Sequence, residues 1–318
     1  MILSVVIPTF NKQPLLRRTL EALIDQILTG DPAWEIVVVN DGSTDGTADF
    51  LADLEARRSG RVPAVRTVRP GTNVGRARAR NLGAEAARGT YLLFLDDDIV
   101  APAGLVQAHL DVLTAGTSVG TIGYAVTDPE VVDAPHFHYL DTRGVARLGR
   151  GPAPGRFFVT QNAAVPRAAF AAVGGFDEAF QAYGFEDMEL AFRLEDKTQV
   201  AFQALTGPVP VHVHHHSLAQ YWNKKRECGR HTLPRIARLH PHRVAEMRLD
   251  LVFDRGVRGR LLNIWSRSGA GRRFPEWLGG WPVGAGHRPR MAGLYFRLMN
   301  LAVLTCFCQG LADSSEAV

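Results

Sequence analysis

Short apolar runs alternate with stretches of helical spacing over the first hundred residues, and this alternation restricts the fold more than any other feature. Residues 3–7 form a β-branched run closed by Pro8, which is typical of a buried strand. Similar runs cover residues 34–39, 65–68 and 91–95. Helical spacing follows Asn11, a candidate helix cap, and returns over residues 44–54 and 74–88. The pattern predicts βαβ units and therefore an α/β fold with a mostly parallel central sheet flanked by helices.

The fourth apolar run ends abruptly in three carboxylates, Asp96, Asp97 and Asp98. Like charges this close repel, so they need a cation or an array of donors to remain ionised. A hard divalent metal takes oxygen ligands and often carries phosphates with it. The carboxyl ends of parallel strands form the rim where α/β sheets bind ligands, and Thr9 and Asp41 are expected on the same rim. The alternative is that these aspartates cap a helix starting near Pro102.

Composition favours a soluble enzyme of one large domain or slightly more, with 318 residues, 46% hydrophobic and 21% charged. The three cysteines have no disulfide-framework spacing and include no Cys-x-x-Cys pair, which predicts a reducing, cytoplasmic setting. The amino terminus lacks a basic region before its apolar run, so we expect no signal peptide. The longest apolar stretch, residues 291–311, is interrupted by Arg297, Asn300 and Gln309, and we expect no membrane span.

Positive charge is concentrated towards the carboxyl end. The whole chain is +4, whereas residues 222–290 carry 16 Lys or Arg against 5 Asp or Glu and are therefore +11. This asymmetry predicts an anionic partner such as a membrane surface or a phosphorylated acceptor, with a merely solvated basic face as the alternative. No nucleic-acid-binding motif accompanies the arginines, so no nucleic acid is expected.

Several motifs occur in an order that resembles the family 2 glycosyltransferases of the GT-A fold. They are Ser4-Val-Val-Ile-Pro-Thr-Phe-Asn11, Val37-Val-Val-Asn-Asp-Gly-Ser-Thr44, Asn73-Val-Gly-Arg-Ala-Arg-Ala-Arg-Asn81, Phe94-Leu-Asp-Asp-Asp98, Gly174-Gly-Phe-Asp-Glu178, Tyr183-Gly-Phe-Glu-Asp-Met-Glu-Leu190 and Val213-His-His-His216. The resemblance covers about two-thirds of the chain. It implies a glycosyltransferase domain over residues 1–240, with a nucleotide-binding half at 1–100 and an acceptor half at 101–240. Residues 241–318 are then a basic C-terminal extension, predicted to be helical.

The resemblance assigns the donor-binding residues. Asp41 would accept a hydrogen bond from uracil, with a turn-forming role as the alternative, and Pro8 and Thr9 would line the base pocket. Arg80 would lie near the ribose or the pyrophosphate.

The three rim aspartates supply the family's Asp-x-Asp motif. By resemblance, Asp96 belongs to the ribose side, Asp97 supports it, and Asp98 binds Mn²⁺ or Mg²⁺.

The pair Glu186-Asp187 is the candidate catalytic pair. Resemblance implies Asp187 as the base that deprotonates the acceptor and Glu186 as an acceptor ligand; the roles could be exchanged. Retaining relatives typically carry Glu-Asn here, so inversion is favoured. Stabilisation of acidic residues by the start of a helix explains the position equally well.

A histidine in residues 212–216 completes the metal site in several relatives, and strand alternation would place His212, His214 and His216 on one face. We expect His214 to be the ligand, with His216 second; diphosphate contact or packing are the alternatives. Asn162 and Gly175 are expected to shape the acceptor and sugar pocket, and Gly174-Gly175 predicts a turn with unusual backbone angles.

Together these features predict a metal-dependent, inverting enzyme that moves a sugar from a UDP-sugar, or another nucleotide-diphospho-sugar, to a glycan, lipid-linked or small-molecule hydroxyl. The processive synthases' Gln-x-x-Arg-Trp motif is missing, so single addition in polysaccharide or glycoconjugate synthesis is favoured. The alternatives are a retaining transferase of the polypeptide N-acetylgalactosaminyl type and a non-catalytic sugar-nucleotide-binding subunit of a membrane complex.

The carboxyl-terminal residues give weaker signals. Residues 256–273 are predicted to be a Gly- and Arg-rich loop. Residues 291–311 are predicted to form an amphipathic helix that packs on the catalytic domain or on a second copy in a homodimer. Peripheral contact with the inner face of the membrane, through the basic segment, is the alternative.

Overall fold

The structure is a computed structural model that describes residues 1–116, 118–128, 130, 134–213, 216–283 and 288–314. The strands are β1 (Leu3–Thr9), β2 (Trp34–Asn40), β3 (Ala64–Val68), β4 (Tyr91–Leu95), β5 (Ile99–Val100), β6 (Val119–Ile122), β7 (Val126–Thr127), β8 (Gly151–Pro152), β9 (Asn162–Pro166), β10 (Ala201–Ala204) and β11 (Val211–His212). The helices are α1 (Gln13–Ile24), α2 (Thr47–Arg57), α3 (Arg76–Ala86), α4 (Leu105–Leu113), α5 (Pro135–Asp141), α6 (Arg167–Ala172), α7 (Glu186–Thr198), α8 (Leu218–Glu227), α9 (Leu233–Leu239), α10 (Asp250–Phe253), α11 (Val257–Arg267), α12 (Gly269–Trp277) and α13 (Ala292–Ala312). A π-helix, Cys228–Thr232, joins α8 to α9.

The main sheet of the described residues has the strand order β3-β2-β1-β4-β9-β6-β10-β8. Its first four strands are parallel, as the alternation of the sequence predicts, whereas β9 runs antiparallel to both of its neighbours. A smaller sheet has the order β5-β11-β7. It begins one residue after the acidic run, and this placement matters for the candidate site.

Successive strand residues point to opposite faces of the main sheet, and here apolar residues occupy both faces. Each face is therefore covered by its own apolar cluster. In β1, Val5 and Ile7 join one apolar cluster while Val6 joins the other. In β4, Leu93 belongs to the first cluster and Phe94 to the second. The continuous apolar runs of the sequence are therefore the central strands of a sheet buried on both sides.

Contacts divide the chain into two units. The first unit comprises residues 1–128, 143–181 and 190–214 and contains both sheets; the second comprises residues 129–142, 182–189 and 215–318. A domain boundary after residue 240 stays a prediction.

The second unit has its own apolar core, built around α13. Tyr295, Met299, Ala302 and Cys306 of this helix are fully buried and pack with Trp222 of α8. By length and hydropathy α13 could cross a membrane, with 44% of its apolar window buried inside the second unit.

Two local predictions were wrong. Residues 256–273 form α11 and α12 rather than a loop, because Asp254 and Ser268 accept hydrogen bonds from backbone N–H groups at the starts of these helices. Asn11 does not cap α1, whose N-cap is Lys12. Asn11 instead has a φ of 54°, and its side-chain oxygen accepts a hydrogen bond from the N–H of Thr44.

Candidate active site

The carboxyl ends of β1, β2 and β4 lie side by side at one edge of the main sheet. Thr9, the last residue of β1, pairs with Asn40, the last residue of β2, and its carbonyl oxygen accepts a hydrogen bond of 2.9 Å from the N–H of Asp41. Because β4 pairs with β1 in parallel, the acidic run that follows Leu95 reaches the same edge. The rim predicted from the sequence is therefore present.

Asp41 is buried under the loop that leads into α3. Its Oδ1 accepts a hydrogen bond of 2.7 Å from the N–H of Val74, and its Oδ2 accepts one of 3.1 Å from the N–H of Gly75. The turn beside it is made by Asn40, whose Oδ1 accepts a hydrogen bond from the N–H of Ser43. Asp41 therefore fixes the loop, and each carboxylate oxygen keeps a lone pair for a further donor.

Asp97 is held by two donors from the first strand and the loop after it. Thr9 donates its hydroxyl to Oδ2 at 2.8 Å, and the Lys12 ammonium donates to Oδ1 at 3.0 Å. Burial raises the pKa of Asp97 to about 6, because the loss of water outweighs the attraction of Lys12 and the hydrogen bond from Thr9. Asp97 is thus buried and links the end of β1 and Lys12 to the acidic run through hydrogen bonds.

Asp98 lies between two basic side chains. Lys12 donates to its Oδ2 at 2.8 Å, and Nε2 of His212 lies 3.2 Å from its Oδ1. Burial alone would raise the pKa of Asp98, but His212 and Lys12 outweigh it and lower the pKa well below its ordinary value. Asp98 therefore remains ionised despite its burial.

A divalent cation fits beside Asp98. Oδ1 of Asp98 is buried and lacks a conventional hydrogen bond within the described part of the chain, where His212 is its near neighbour. Ligand atoms lie about 2.1 Å from an octahedral cation, so adjacent ligands stand about 3 Å apart. The 3.2 Å between Oδ1 and Nε2 matches this spacing. The remaining positions would be left to water and to substrate phosphates.

Asp96 and Arg80 form an ion pair at the other side of the acidic run. Nη2 of Arg80 lies 3.1 Å from Oδ1 of Asp96, and the guanidinium lies 5.7 Å from the centre of the Phe176 ring. Arg80 is 4% exposed while the side chain of Asp96 is 33% exposed. The carboxylate of Asp96 is therefore accessible to solvent, and the buried guanidinium of Arg80 fixes its orientation.

The family assignment follows from a match over more than half of the chain. The model of glycosyl transferase family 2 matches residues 4–174, which include the rim just described. The chain belongs to this family. A second model, described as the N-terminal domain of galactosyltransferase, matches residues 150–216.

The chain is similar to curated enzymes of known name. Validoxylamine A glucosyltransferase from Streptomyces hygroscopicus subsp. limoneus is 37% identical over 220 residues, which are 61% of this chain and 48% of that protein. Chondroitin synthase from Escherichia coli is 27% identical over 245 residues, which are 66% of this chain and 34% of that protein. The chain thus spans about half the length of the first and a third of the second.

Solved structures show the same fold. The mannosyltransferase PcManGT from Pyrobaculum calidifontis, in complex with GDP-Man and Mn²⁺, has a TM-score of 0.61 at 19% identity, with 98% of this chain and 86% of that chain covered. TarS 1-349 from S. aureus, in complex with UDP-GlcNAc, has a TM-score of 0.56 at 13% identity, with 98% and 91% covered. The mixed α/β sheet with its flanking helices is therefore of the GT-A type.

Among the described residues, His212 is the histidine that faces the acidic run. β11 pairs with β5 so that His212 lies opposite Ile99, directly after Asp98, and the N–H of Val213 donates to the Asp98 carbonyl at 2.9 Å. The predicted ligand His214 lies outside the described residues. The second choice, His216, belongs to the second unit, where its Nε2 lies 2.6 Å from the ammonium of Lys224.

Lys12 and His212 are the two residues of the site that the sequence analysis did not select. His212 is identified by the short pairing between β5 and β11, and the alternation of residues within one strand does not reveal this pairing. The signal for Lys12 is its position in the loop directly after β1, where a cation can reach the ends of β1 and β4.

Asn162 lies in the interior of the first unit. It is 1% exposed, its Oδ1 lies 2.8 Å from Nε2 of His109, and its side-chain amide donates to the carbonyl of Tyr124 at 3.3 Å. Nδ1 of His109 lies 2.7 Å from the hydroxyl of Thr121. Burial lowers the pKa of His109 to about 4, against the weaker effect of the bond to Asn162, so the imidazole is neutral at pH 7. A direct role of Asn162 in the pocket stays a prediction.

Gly175 adopts a φ of 71° and follows Gly174 at 82°, as predicted for a turn with unusual backbone angles. A Cβ at Gly175 would stand 2.6 Å from Oδ1 of Asn81, which accepts a hydrogen bond from the N–H of Phe176. Glycine is needed here for both backbone conformation and space.

The candidate catalytic pair stands at the start of α7. Glu186 is buried and Asp187 is half-buried, so Asp187 is the more accessible carboxylate. Phe185, directly before them, has a φ of 71°, which is rare for an aromatic residue.

The loop before this pair is fixed within the second unit. The carbonyl of Tyr183 accepts hydrogen bonds from the thiol of Cys228 at 2.9 Å and from the hydroxyl of Thr232 at 3.2 Å. Both donors belong to the π-helix. Strained backbone held by such contacts is common at functional sites.

Proposed function

We propose that the transferase is metal-dependent and inverting, and that it moves a sugar from a nucleoside-diphosphate donor to a hydroxyl group. The observation that carries the proposal is the buried Oδ1 of Asp98 at 3.2 Å from Nε2 of His212, on the rim that also holds Asp41. The proposal assigns Asp98 and His212 as the ligands of Mn²⁺ or Mg²⁺. Such an ion, when bound, would neutralise the diphosphate and stabilise it as a leaving group.

The donor would be held by the side chains of the rim. Asp41 would accept a hydrogen bond from the base N–H, beside Pro8 and Thr9. The exposed carboxylate of Asp96, oriented by Arg80, would bind a ribose hydroxyl. A buried carboxylate that bonds a base N–H discriminates strongly against bases without that donor. Uracil, thymine and guanine each carry a ring N–H, and the resemblance to the family favours uracil among them.

Asp187 would act as the base. It would take the proton of the acceptor hydroxyl as the acceptor oxygen bonds to the anomeric carbon and the bond from that carbon to the diphosphate oxygen breaks. Attack opposite the leaving group inverts the anomeric centre. Glu186 would orient the acceptor, and the half-buried position of Asp187 supports this division of roles.

The named relatives direct the choice of substrates. The relative of 37% identity is a glucosyltransferase named for a small-molecule acceptor, validoxylamine A, which supports glucosyl donors and small hydroxyl acceptors as the first to test. Similar folds are known with UDP-GlcNAc and with GDP-Man, so both nucleotides belong in the panel. We further propose a cytoplasmic location, which the three free, buried cysteines support.

The test combines binding with turnover. Thermal shift with UDP-, GDP- and dTDP-sugars should show stabilisation with Mn²⁺ that EDTA abolishes; a ligand at about a hundred times its Kd stabilises by about 2.7 kcal/mol. Nucleotide release should be lost in Asp187→Asn and retained in part in Glu186→Gln. Donor binding without turnover in both wild type and variants would instead support a non-catalytic binding subunit.

Anomer analysis of the product by NMR decides the stereochemistry. A β-linked product from an α-linked donor supports inversion, whereas an α-linked product contradicts it. The second outcome would favour a retaining enzyme of the polypeptide N-acetylgalactosaminyl type.

A further inference from the structure

Helix α11 carries an apolar stripe on its solvent-facing side. Val257, Leu261 and Ile264 are 74%, 60% and 68% exposed, and their spacing of four and three residues places them on one face of the helix. The opposite face is buried and consists of Gly259, Leu262 and Ser266. The helix therefore has a second apolar face that the second unit leaves uncovered among its described residues.

Arginines flank this stripe, and α11 itself has no acidic residue. Arg258, Arg260 and Arg267 are all exposed. Residues 254–273 contain six arginines and one aspartate, a net charge of +5. The aspartate, Asp254, is engaged at the start of the helix, where its carboxylate accepts hydrogen bonds from the N–H groups of Gly256 and Gly259.

The orientation of the stripe is fixed by packing inside the second unit. The indole N–H of Trp265 donates to the hydroxyl of Thr305 on α13 at 3.2 Å. A Cβ on Gly259 would stand 1.9 Å from the carbonyl oxygen of Asp254, so only glycine allows the close approach of backbone on this buried side of the helix. The helix thus presents its stripe to solvent as a preformed surface.

We propose that the stripe, together with its flanking arginines, binds the surface of a membrane rich in anionic phospholipid. A helix with apolar residues on one side and arginines beside them lies in the interface with its apolar side inserted. Basic side chains near an anionic leaflet each add to the attraction. A second copy of the chain is disfavoured as the occupant, since a symmetric pairing of this face would oppose like charges. The proposal does not depend on which sugar or nucleotide the enzyme uses.

This surface lies within the basic segment of residues 222–290, for which the sequence predicts an anionic partner without indicating an apolar stripe. The most apolar segment, α13, places Tyr295 and Met299 in the core of the second unit, where both are fully buried, whereas its Leu294 is 42% exposed. α11 lies in a region predicted to be a loop. Only the fold shows that its leucine and isoleucine side chains point to solvent.

The test uses the full chain and vesicle flotation. We expect the protein to float with phosphatidylcholine vesicles that contain phosphatidylglycerol, and to remain in the soluble fraction with phosphatidylcholine alone. The double variant Leu261→Gln/Ile264→Gln should lower partitioning at least tenfold. At low salt, the double variant Arg260→Gln/Arg267→Gln should lower partitioning by a similar factor. At high salt, its partitioning should differ less from that of wild type, because screening weakens the attraction of the arginines to the anionic lipid.

Matched controls exclude general effects of the substitutions. Ile27→Gln removes an apolar side chain that is 87% exposed in the first unit, and Arg61→Gln removes an exposed arginine there; both should float like wild type. If the double variant unfolds, as judged by circular dichroism, Val257→Gln replaces it. Flotation of the stripe variants equal to wild type would overturn the proposal. So would equal binding to both vesicle types, or a dimer in sedimentation equilibrium that the stripe variants dissociate.

Discussion

The Nζ atom of Lys12 lies 2.8 Å from Oδ2 of Asp98 and, in the same position, 3.0 Å from Oδ1 of Asp97. One ammonium group therefore serves two of the three carboxylates at the rim, while Arg80 serves Asp96. These two cations offset only part of the negative charge of the three carboxylates. Burial lowers the pKa of Lys12, but the attraction of Asp97 and Asp98 outweighs it and raises the pKa above its ordinary value, so the ammonium is retained at neutral pH.

Replacing Lys12 should strengthen the binding of free Mn²⁺. Lys12→Met removes a positive charge that repels the incoming ion, and we expect the Kd for Mn²⁺ without nucleotide to fall about tenfold, or about 1.4 kcal/mol. Titration calorimetry measures this directly. Arg18→Met is the control, because it removes a cation of the same unit whose partner is Asp128, at 3.7 Å, and not a carboxylate of the rim. An unchanged Kd in Lys12→Met would show that the ammonium does not compete with the ion.

His212 should determine the metal requirement. Loss of one of two protein ligands weakens a site markedly, so His212→Gln should raise the Mn²⁺ concentration for half-maximal nucleotide release at least tenfold. His216→Gln, whose ring contacts Lys224 in the second unit, is the control and should stay within twofold of wild type. The reverse order of effects would assign the ligand to His216, as the sequence analysis had it in second place.

Stability should fall in mild acid because of His109. Its pKa is lowered from 6.5 to about 4 by burial, so between these values the unfolded chain binds a proton that the folded chain does not. The neutral imidazole of His109 therefore contributes about 3 kcal/mol to the free energy of unfolding. This contribution is complete above pH 6.5 and is lost as the pH falls towards 4. Urea unfolding across this range should show a flatter pH dependence in His109→Gln, whereas His231→Gln, at an exposed site, should follow wild type. Identical slopes in all three proteins would exclude this role for His109.

The close approach of α13 to the π-helix should depend on Gly310. A Cβ there would stand 2.0 Å from the carbonyl oxygen of Arg226 and 2.9 Å from Cα of Gly229. Gly310→Ala should therefore lower the free energy of unfolding of the second unit by about 1–3 kcal/mol. Gly293→Ala, in the same helix with open space around it, should be neutral or slightly stabilising. Thermal unfolding measures both, and equal melting temperatures would contradict the packing argument.

The positions of Thr9, Asp41 and Asp96 to Asp98 on one rim could be predicted, because parallel strands end at the same edge of a sheet. The same reasoning could not select His212. Its proximity to Asp98 depends on the pairing of β11 with β5, two strands of two residues each that lie far apart in the chain. Periodicity within such short runs carries almost no information about their partner.

In the carboxyl-terminal region, local composition predicted the wrong secondary structure. The Gly- and Arg-rich composition of residues 256–273 predicted a loop, yet two helices begin there, where Asp254 and the N-cap residue Ser268 accept hydrogen bonds from backbone N–H groups of the first turns. Capping contributes about 1 kcal/mol and can outweigh the low helix propensity of a few glycines when packing adds to it. Leu262 of α11 supplies that packing.

The sequence by itself determined the order of strands and helices in the first hundred residues and the chemistry of the rim, since both follow from local periodicity and from residue types at strand ends. The tertiary structure alone decided which cation and which histidine meet Asp98, and which face of α11 stays in water. The partners of Asp98 and the exposed face of α11 depend on contacts between residues that are distant in the chain, so no local sequence pattern predicts them.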